Sequence, residues 1–414
     1  MTPDSFHVGT STTTSGMASG LSGSSFGLHG DFMAAAHRCR WARKGNPNQR
    51  TTAPSANAHQ STPFPRFRVI SSLPVHRCAH VRLSHGQVMP HVIHVGPCES
   101  PGGIRTVMRT LAKHPPEGWT ASLLPSHANR TLSMVFTAWK AARALRALPV
   151  DDSPVVHLHA ASDWSLRRKL RLAARCQHPV VLHLHSGDTA RWLQAKAGRA
   201  VRVRAAIEAH VSVVVVLDEA WKTLLEPLIG QVEVVPNPVH PQHHLHDVDQ
   251  RDGTRLLVMG RDAPVKRRGF AVDVAAHIRN KRPEVHLHLT GGQPMEGDGW
   301  TRHGWLTDAE RLALLQATDV LLLPSRFEGQ PLAALEALAC GVSVVADGGL
   351  VGLPDTVVRP HAGTVASWAE AIDSILSTPS EPAALAASVS HHAVEHVAQR
   401  WANMYAMAHQ RASR

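Results

Sequence analysis

Beyond residue 90 the chain alternates short, continuous apolar runs with longer amphipathic stretches. HVIHVG (91–96), SPVVHLH (153–159), HPVVLHLH (178–185), VSVVVVL (211–217) and VEVVP (232–236) read as strands, because unbroken apolar runs suit a parallel sheet covered on both faces. Between them, 102–114, 163–176, 188–209 and 218–229 carry helical spacing, with 188–209 read as one long helix. The polar, turn-rich stretch HPQHHLHDVDQRDG (240–253) interrupts this rhythm. It restarts with RLLVMG (255–260), a helix near 269–281, VHLHLTGG (285–292), a helix over 307–318 and the run LLLPS (321–325). The pattern predicts an α/β protein of two doubly wound domains, 89–239 and 254–392, joined by a linker at 240–253. A final helix over 393–414 is expected to pack back toward the first domain. In such folds ligands bind in the crevice outside the carboxyl ends of the strands.

The most informative positions follow LLLPS, in SRFEGQPLAALEALACG (325–341). Pro331, with its fixed φ and missing N–H, suits the first helical position, and Gly341 suits the end, so Leu332 to Cys340 is expected to be helical. Ala and Leu surround Glu336 on every side of that helix, which buries it. A buried, unpaired carboxylate costs on the order of several kcal/mol, so Glu336 needs a ligand hydroxyl or a protein donor such as an Arg. Eight residues turn a helix by about 800°, so Glu328 and Glu336 do not share a helical face. The first acid belongs to the loop and the second to the helix.

A second constellation is GRDAPVKRRG (260–269), directly after a strand. Arg261 lies at the strand's carboxyl end and Lys266 five residues on, which places two cations at the crevice. In the first half, Gly102 and Gly103 open the first strand-to-helix turn, where glycine permits close backbone approach, although CESPGGIR lacks G-x-G-x-x-G spacing. His-Leu-His occurs three times, as His157/His159, His183/His185 and His286/His288. Residues i and i+2 on a strand share a face, so each pair could chelate a metal. With 30 His in the chain, imidazoles hydrogen-bonded within the sheets are the default reading. Asp188 suits a helix N-cap. Asp247 and Asp249 form a D-x-D, discounted as a metal site because it lies in the polar linker rather than at a strand end.

The segment GWLTDAERLALLQATDVLLLPSRFEGQPLAALEALACGVSVVADGG (304–349) resembles the donor-binding core of the retaining glycosyltransferases of family 4, whose two Rossmann-like domains face each other in the GT-B arrangement. Its E-x7-E signature is the most specific part of the likeness. The resemblance implies that Glu328 contacts hydroxyls of the transferred sugar and Glu336 the ribose of the nucleotide. Gly329, Gln330, Pro331 and Leu332, at a helix N-terminus, would bind the donor diphosphate, since helix ends favour anions. The family's GR-x4-K pattern assigns Arg261 and Lys266 to that diphosphate. Gly102 and Gly103 would face donor and acceptor, and His185 would contact a sugar hydroxyl or polarise the reacting centre. Asn237, in VVPNPV, matches a motif at the hinge. The sequence departs from the family at Gln330, where an aromatic or aliphatic residue is usual, and at Arg267 and Arg268, which precede Gly269. It departs again at Pro354 and Asp355, which end a longer segment in place of G-G-x-P-E.

The activity so implied is transfer of a sugar from a nucleotide-diphosphate sugar to a hydroxyl acceptor, a saccharide or lipid-linked saccharide, with retention of configuration. The expected setting is cell-surface polysaccharide or glycolipid synthesis, with no cofactor and no metal. The alternatives are a nucleotide-sugar epimerase of the same fold and a non-catalytic protein that binds glycan or nucleotide.

Composition changes this picture mainly at the N-terminus. Residues 1–88 hold nine Lys or Arg against two acids, +7 of the formal +11, and are rich in Ser, Thr, Gly and Pro. They read as a disordered basic extension without a catalytic role, with a transit-peptide-like character. Five scattered Cys without C-x-x-C spacing point to a reducing cytoplasm. No apolar run approaches the ~20 residues of a membrane span. Two predicted helices carry Trp164, Arg167, Arg168, Lys169, Arg171 and Arg175, and then Arg191, Lys196, Arg199, Arg202 and Arg204; such basic helices can rest on an anionic membrane. Nucleic acid is not expected as a partner, because no recognition motif accompanies the charge.

Overall fold

The structure, a computed structural model, describes residues 89–127, 131–149, 153–245 and 251–413. The expectations for residues 1–88 and for Asp247 and Asp249 therefore lie outside the described residues. The first sheet comprises β1 (His91–Gly96), β2 (Thr120–Pro125), β3 (Val155–Ala160), β4 (Val180–Leu184), β5 (Val213–Val216) and β6 (Glu233–Val234). All are parallel, in the order β2-β1-β3-β4-β5-β6. The connecting helices are α1 (Gly103–Lys113), α2 (Thr131–Arg146), α3 (Trp164–Ala173), α4 (Thr189–Gln194), α5 (Arg199–His210) and α6 (Glu219–Ile229).

The second sheet comprises β7 (Arg255–Val258), β8 (His286–Leu289), β9 (Gly291–Gly297), β10 (Trp300–Gly304), β11 (Val320–Leu323) and β12 (Ser343–Ala346), in the order β12-β11-β7-β8-β10-β9. Only the β9–β10 pair is antiparallel. Its helices are α7 (Arg268–Arg279), α8 (Asp308–Gln316), α9 (Leu332–Ala339), α10 (Val365–Ser377) and α11 (Pro382–Ala387). The last helix, α12 (Val394–Ala412), leaves the second sheet and packs on the first, where Val397, Trp401, Tyr405 and Ala408 join Val92, Val155, Val181 and Val213 in one buried cluster.

The first sheet thus has two apolar sides. Even with β3 fully buried, its residues divide: Val156, Leu158 and Ala160 face one core, whereas Val155 faces the cluster under α12. His157 and His159 follow Val155 at i+2 spacing and so continue that second face.

Several elements differ from the sequence reading. The stretch 188–209 is two helices, because Ala195 ends α4 and Gly198, at φ 67°, turns the chain before α5. Strand β2 and helix α2 were not predicted; β2 is a half-exposed edge strand without a continuous apolar run. The hairpin of β9 and β10 was also missed, since GGQPMEG has no strand-like apolar alternation. Pro331 caps α9 from outside, at φ −75° and ψ 105°, rather than forming its first residue.

Candidate active site

The carboxyl ends of the two sheets meet around the loop that joins β11 to α9. Glu328 lies in that loop, and its Oε1 accepts a hydrogen bond from Lys266 Nζ at 2.5 Å, both side chains being mostly buried. Lys266 ends a short 3-10 turn, Pro264–Lys266, and Arg267 then adopts a left-handed backbone (φ 47°) to start α7. Arg326 N donates to Val265 O at 3.0 Å, which ties the two loops together. Arg267 pairs with Asp347 at 3.1 Å. Arg268 donates to the carbonyls of Gly260, Thr290 and Gly291, so its buried guanidinium holds the turn after β7. Arg261, by contrast, is exposed, and among the described residues no ion pair or hydrogen bond fixes its side chain. The two cations expected at the crevice are therefore unlike: one is locked and one is free to move.

The first domain supplies the opposite wall. A Cβ at Gly187 would collide with the Glu328 carbonyl, and one at Gly329 with the His185 carbonyl, so both positions require glycine for backbone contact. Trp221 Nε1 donates to Gly329 O. Gln330 is buried and bridges the domains: its Oε1 accepts from Asn237 N at 2.8 Å, its Nε2 donates to Leu217 O at 3.3 Å, and its own carbonyl accepts from Asn237 Nδ2 at 3.0 Å. An aromatic or aliphatic residue at this position could make none of the side-chain bonds. Gly103 lies across from Leu332, whose Cδ1 would stand 3.6 Å from an added Cβ, and Gly102 is open to solvent with φ 148°. Leu332 begins α9, whose first amides point out of the helix end.

Glu336 is buried, but it has a protein partner. Arg311 Nη1, from α8, donates to its Oε2 at 2.7 Å, so of the two kinds of partner expected for this acid the protein donor, an Arg, is present. Its other oxygen faces His243 Nε2 at 4.0 Å, beyond hydrogen-bond reach. Burial holds His243 below its usual range despite the nearby carboxylate, and among the described residues neither of its ring nitrogens has a hydrogen-bond partner. One oxygen of Glu336 is thus engaged and the other is uncommitted.

His185 stands just past β4 at the end of a chain of imidazoles. His94 Nδ1 and His159 Nε2 are 3.0 Å apart, and His159 Nδ1 and His185 Nε2 are 2.9 Å apart. His157 joins His183 at 3.3 Å and Tyr405 OH at 3.0 Å. Burial lowers His94 to about 3, and burial together with Lys169 lowers His185 to about 3; His157, His159 and His183 are also held well below their usual range, chiefly by burial. All five are neutral at pH 7. Their ring nitrogens lie within 4.8 Å of one another in two groups of three, a spacing that a metal could use. Most of those nitrogens bond one another, so a cation bound there would have to displace the bonds between the imidazoles.

Lys169 is the residue that the sequence reading misplaced. Expected on a basic helix surface, it is fully buried and bonds Ser126 Oγ, just past β2. Burial drops its amine to about 7. The signal was present: Leu166, Leu170 and Ala173 mark the buried face of α3, and residue 169 falls on that face. Asp188 precedes α4 without capping it and instead pairs with Arg191 at 2.6 Å. Asn237 O accepts from His392 Nδ1 at 2.8 Å where the chain returns toward α12.

Two sheets with helices on their faces, meeting at the carboxyl ends of their strands, make this a GT-B fold. Solved structures share it: Anabaena Alr3699/HepE in complex with UDP and glucose aligns with a TM-score of 0.57 at 14% identity, covering 77% of this chain and 99% of that one. Sucrose-phosphate synthase from Thermosynechococcus elongatus aligns with a TM-score of 0.54 at 19% identity, covering 78% and 97%. Residues 253–391 match the family model for glycosyl transferases group 1. The D-inositol 3-phosphate glycosyltransferase of Mycobacterium leprae (strain Br4923) is 34% identical over 176 residues, which is 37% of this chain and 40% of the relative's length. Glycogen synthase of Mycobacterium tuberculosis (strain CDC 1551 / Oshkosh) is 26% identical over 282 residues, covering 60% and 67%. The chain therefore spans less than half the length of the first of these relatives.

Proposed function

We propose that the protein is a glycosyltransferase that moves a sugar from a nucleotide-diphosphate donor to a hydroxyl acceptor with retention of configuration, in cell-surface polysaccharide or glycolipid synthesis. The observation that carries this reading is the Lys266–Glu328 pair beside the N-terminus of α9, in a loop packed at Gly329 against the His185 carbonyl of the first domain. The donor diphosphate would lie against the first amides of α9 with Lys266 as its fixed cation and Arg261 swinging in from solvent. Glu328 and His185 would hold hydroxyls of the sugar, and the free oxygen of Glu336 the ribose. As the bond from the anomeric carbon to the diphosphate breaks, the acceptor hydroxyl attacks on the same face. Its proton passes to the departing diphosphate oxygen. No metal or cofactor enters this scheme.

A cytoplasmic protein that touches an anionic membrane belongs to the same reading. No helix among the described residues is long and apolar enough to cross a membrane. The support for surface contact is α2, where the exposed Val135, Phe136 and Trp139 stand beside Lys140 and Arg143, whose cationic groups lie over the two rings. Incubation with a panel of UDP- and GDP-sugars, followed by product analysis, tests the function. Transfer or donor hydrolysis supports it, an isomerised donor points to an epimerase, and thermal stabilisation without turnover points to a binding protein.

A further inference from the structure

Apart from the residues discussed above, a groove of about 360 Å³ lies between α3, α4 and α5. The break at Gly198 creates it by separating α4 from α5. Trp192 forms one wall, and the guanidinium groups of Arg167 and Arg199 lie 5.4 and 4.7 Å from its ring centroid. Arg199 also donates to the Trp192 carbonyl, which fixes its direction, while its Nε is buried without a partner. Arg171, Lys196 and Arg202 complete the lining. The floor is apolar, from Leu170 and Val203.

Five cations thus line one groove, and no Asp or Glu does. Among the described residues none of the five forms an ion pair; the nearby acids are already used, Asp188 by Arg191 and Glu208 by Arg204. Like charges held this close repel, and a groove that excludes bulk water on its floor intensifies the repulsion. Surface cations with no role normally spread apart or pair. Here two are oriented by stacking on Trp192, which is how a planar guanidinium is preorganised for a bidentate oxyanion contact.

We infer that this groove binds a phosphate-bearing anion, and five positive charges suit a ligand with more than one phosphate. Two sources offer that chemistry: the headgroups of anionic phospholipids, and a soluble polyphosphate. Trp164 and Val201, both strongly exposed, stand next to groove residues on α3 and α5 and would meet the interface if the source is lipid. The inference does not depend on the transfer reading, since none of these side chains belongs to the crevice.

The test uses the full chain and tripolyphosphate, measured by calorimetry at low and high salt, with Arg167→Gln/Arg202→Gln as the groove variant, Arg175→Gln as a basic control and Lys266→Ala to exclude the crevice. The expected result is binding that weakens with salt. It should fall by roughly tenfold or more in the groove variant, the scale for losing charge-assisted hydrogen bonds, and persist in both other variants. Flotation with vesicles of phosphatidylcholine, alone and mixed with phosphatidylglycerol, separates the sources. Flotation on the mixed vesicles that tripolyphosphate competes away assigns the headgroup; tripolyphosphate binding without flotation assigns a soluble ligand. Absence of tripolyphosphate binding, equal binding by the groove variant, or loss of binding in Lys266→Ala would each overturn the inference.

Discussion

The tripeptide His-Leu-His appears in both sheets and meets two different fates. In β3 and β4 its histidines lie under α12, bonded to one another and kept neutral by burial. In β8 it sits near the antiparallel edge, where His286 bonds Thr301 at 2.9 Å and His288 bonds His303 at 2.9 Å, both half-exposed. The rims of the sheets differ in the opposite sense. The second sheet is aliphatic inside and keeps its charge in loops, as Lys266–Glu328 and Arg267–Asp347. The first sheet carries polar side chains inside, down to the buried Lys169. The second domain keeps its Lys266–Glu328 and Arg267–Asp347 pairs on connections and one acid, Glu336, inside a helix, whereas the first buries polar groups in its core.

That contrast can be broken at several points. The largest effect is expected at the second rim: Glu328→Gln should lower turnover by about 10²- to 10³-fold, the scale for one preorganised group at a reacting centre, with donor affinity nearly kept. Unchanged kcat in a transfer assay would remove Glu328 from the reaction. Arg261→Ala should cost roughly 10²-fold in kcat if the loose cation closes on the diphosphate, and wild-type turnover would show that Lys266 suffices. For Glu336→Gln the informative quantity is donor affinity. A weaker UDP-sugar Kd with little change in kcat supports a ribose contact through the uncommitted oxygen, whereas a lower Tm with unchanged Kd reduces Glu336 to the partner of Arg311.

The first sheet should reveal itself through pH. His94 and His185 fall from about 6.5 when unfolded to about 3 when folded, so below pH 6.5 the unfolded chain binds more protons and stability declines as pH drops toward 3. At pH 5.5 each such histidine costs about 1.4 kcal/mol relative to high pH. Denaturant melts across pH 5 to 7.5 should show this slope; His288 is lowered to about 4 and His157 is held well below its usual range, so His157→Val and His288→Val should flatten it about equally above pH 5 and separate only below about pH 4. Gln330→Ala should act on stability rather than chemistry, because its two neutral side-chain hydrogen bonds between the domains are lost at about 1 kcal/mol each. A drop in Tm without loss of UDP affinity would identify Gln330 as a domain clasp alone.

Much of the fold could be read because buried parallel strands announce themselves as unbroken apolar runs, as in VVHLHA or VLLL. β2 and β9 could not, since edge strands need satisfy only one neighbour and TASLLP or GGQPMEG shows no such run. For the site, spacing alone separated Glu328 in its loop from Glu336 in its helix. Spacing could not reveal Arg311 as the partner of Glu336, because that bond crosses from α8 to α9 and depends on how two helices pack. Nor could it foresee Gln330 reaching Asn237 and Leu217 in the other domain.

The chain of imidazoles has a directional consequence. A neutral imidazole gives one proton and takes one, so the bonds from His94 through His159 to His185 must all run the same way. If His94 donates first, His185 receives at Nε2 and keeps its proton at Nδ1; if the chain reverses, Nδ1 of His185 is bare. Whatever meets that nitrogen therefore encounters a donor or an acceptor according to a choice made two strands away, on β1.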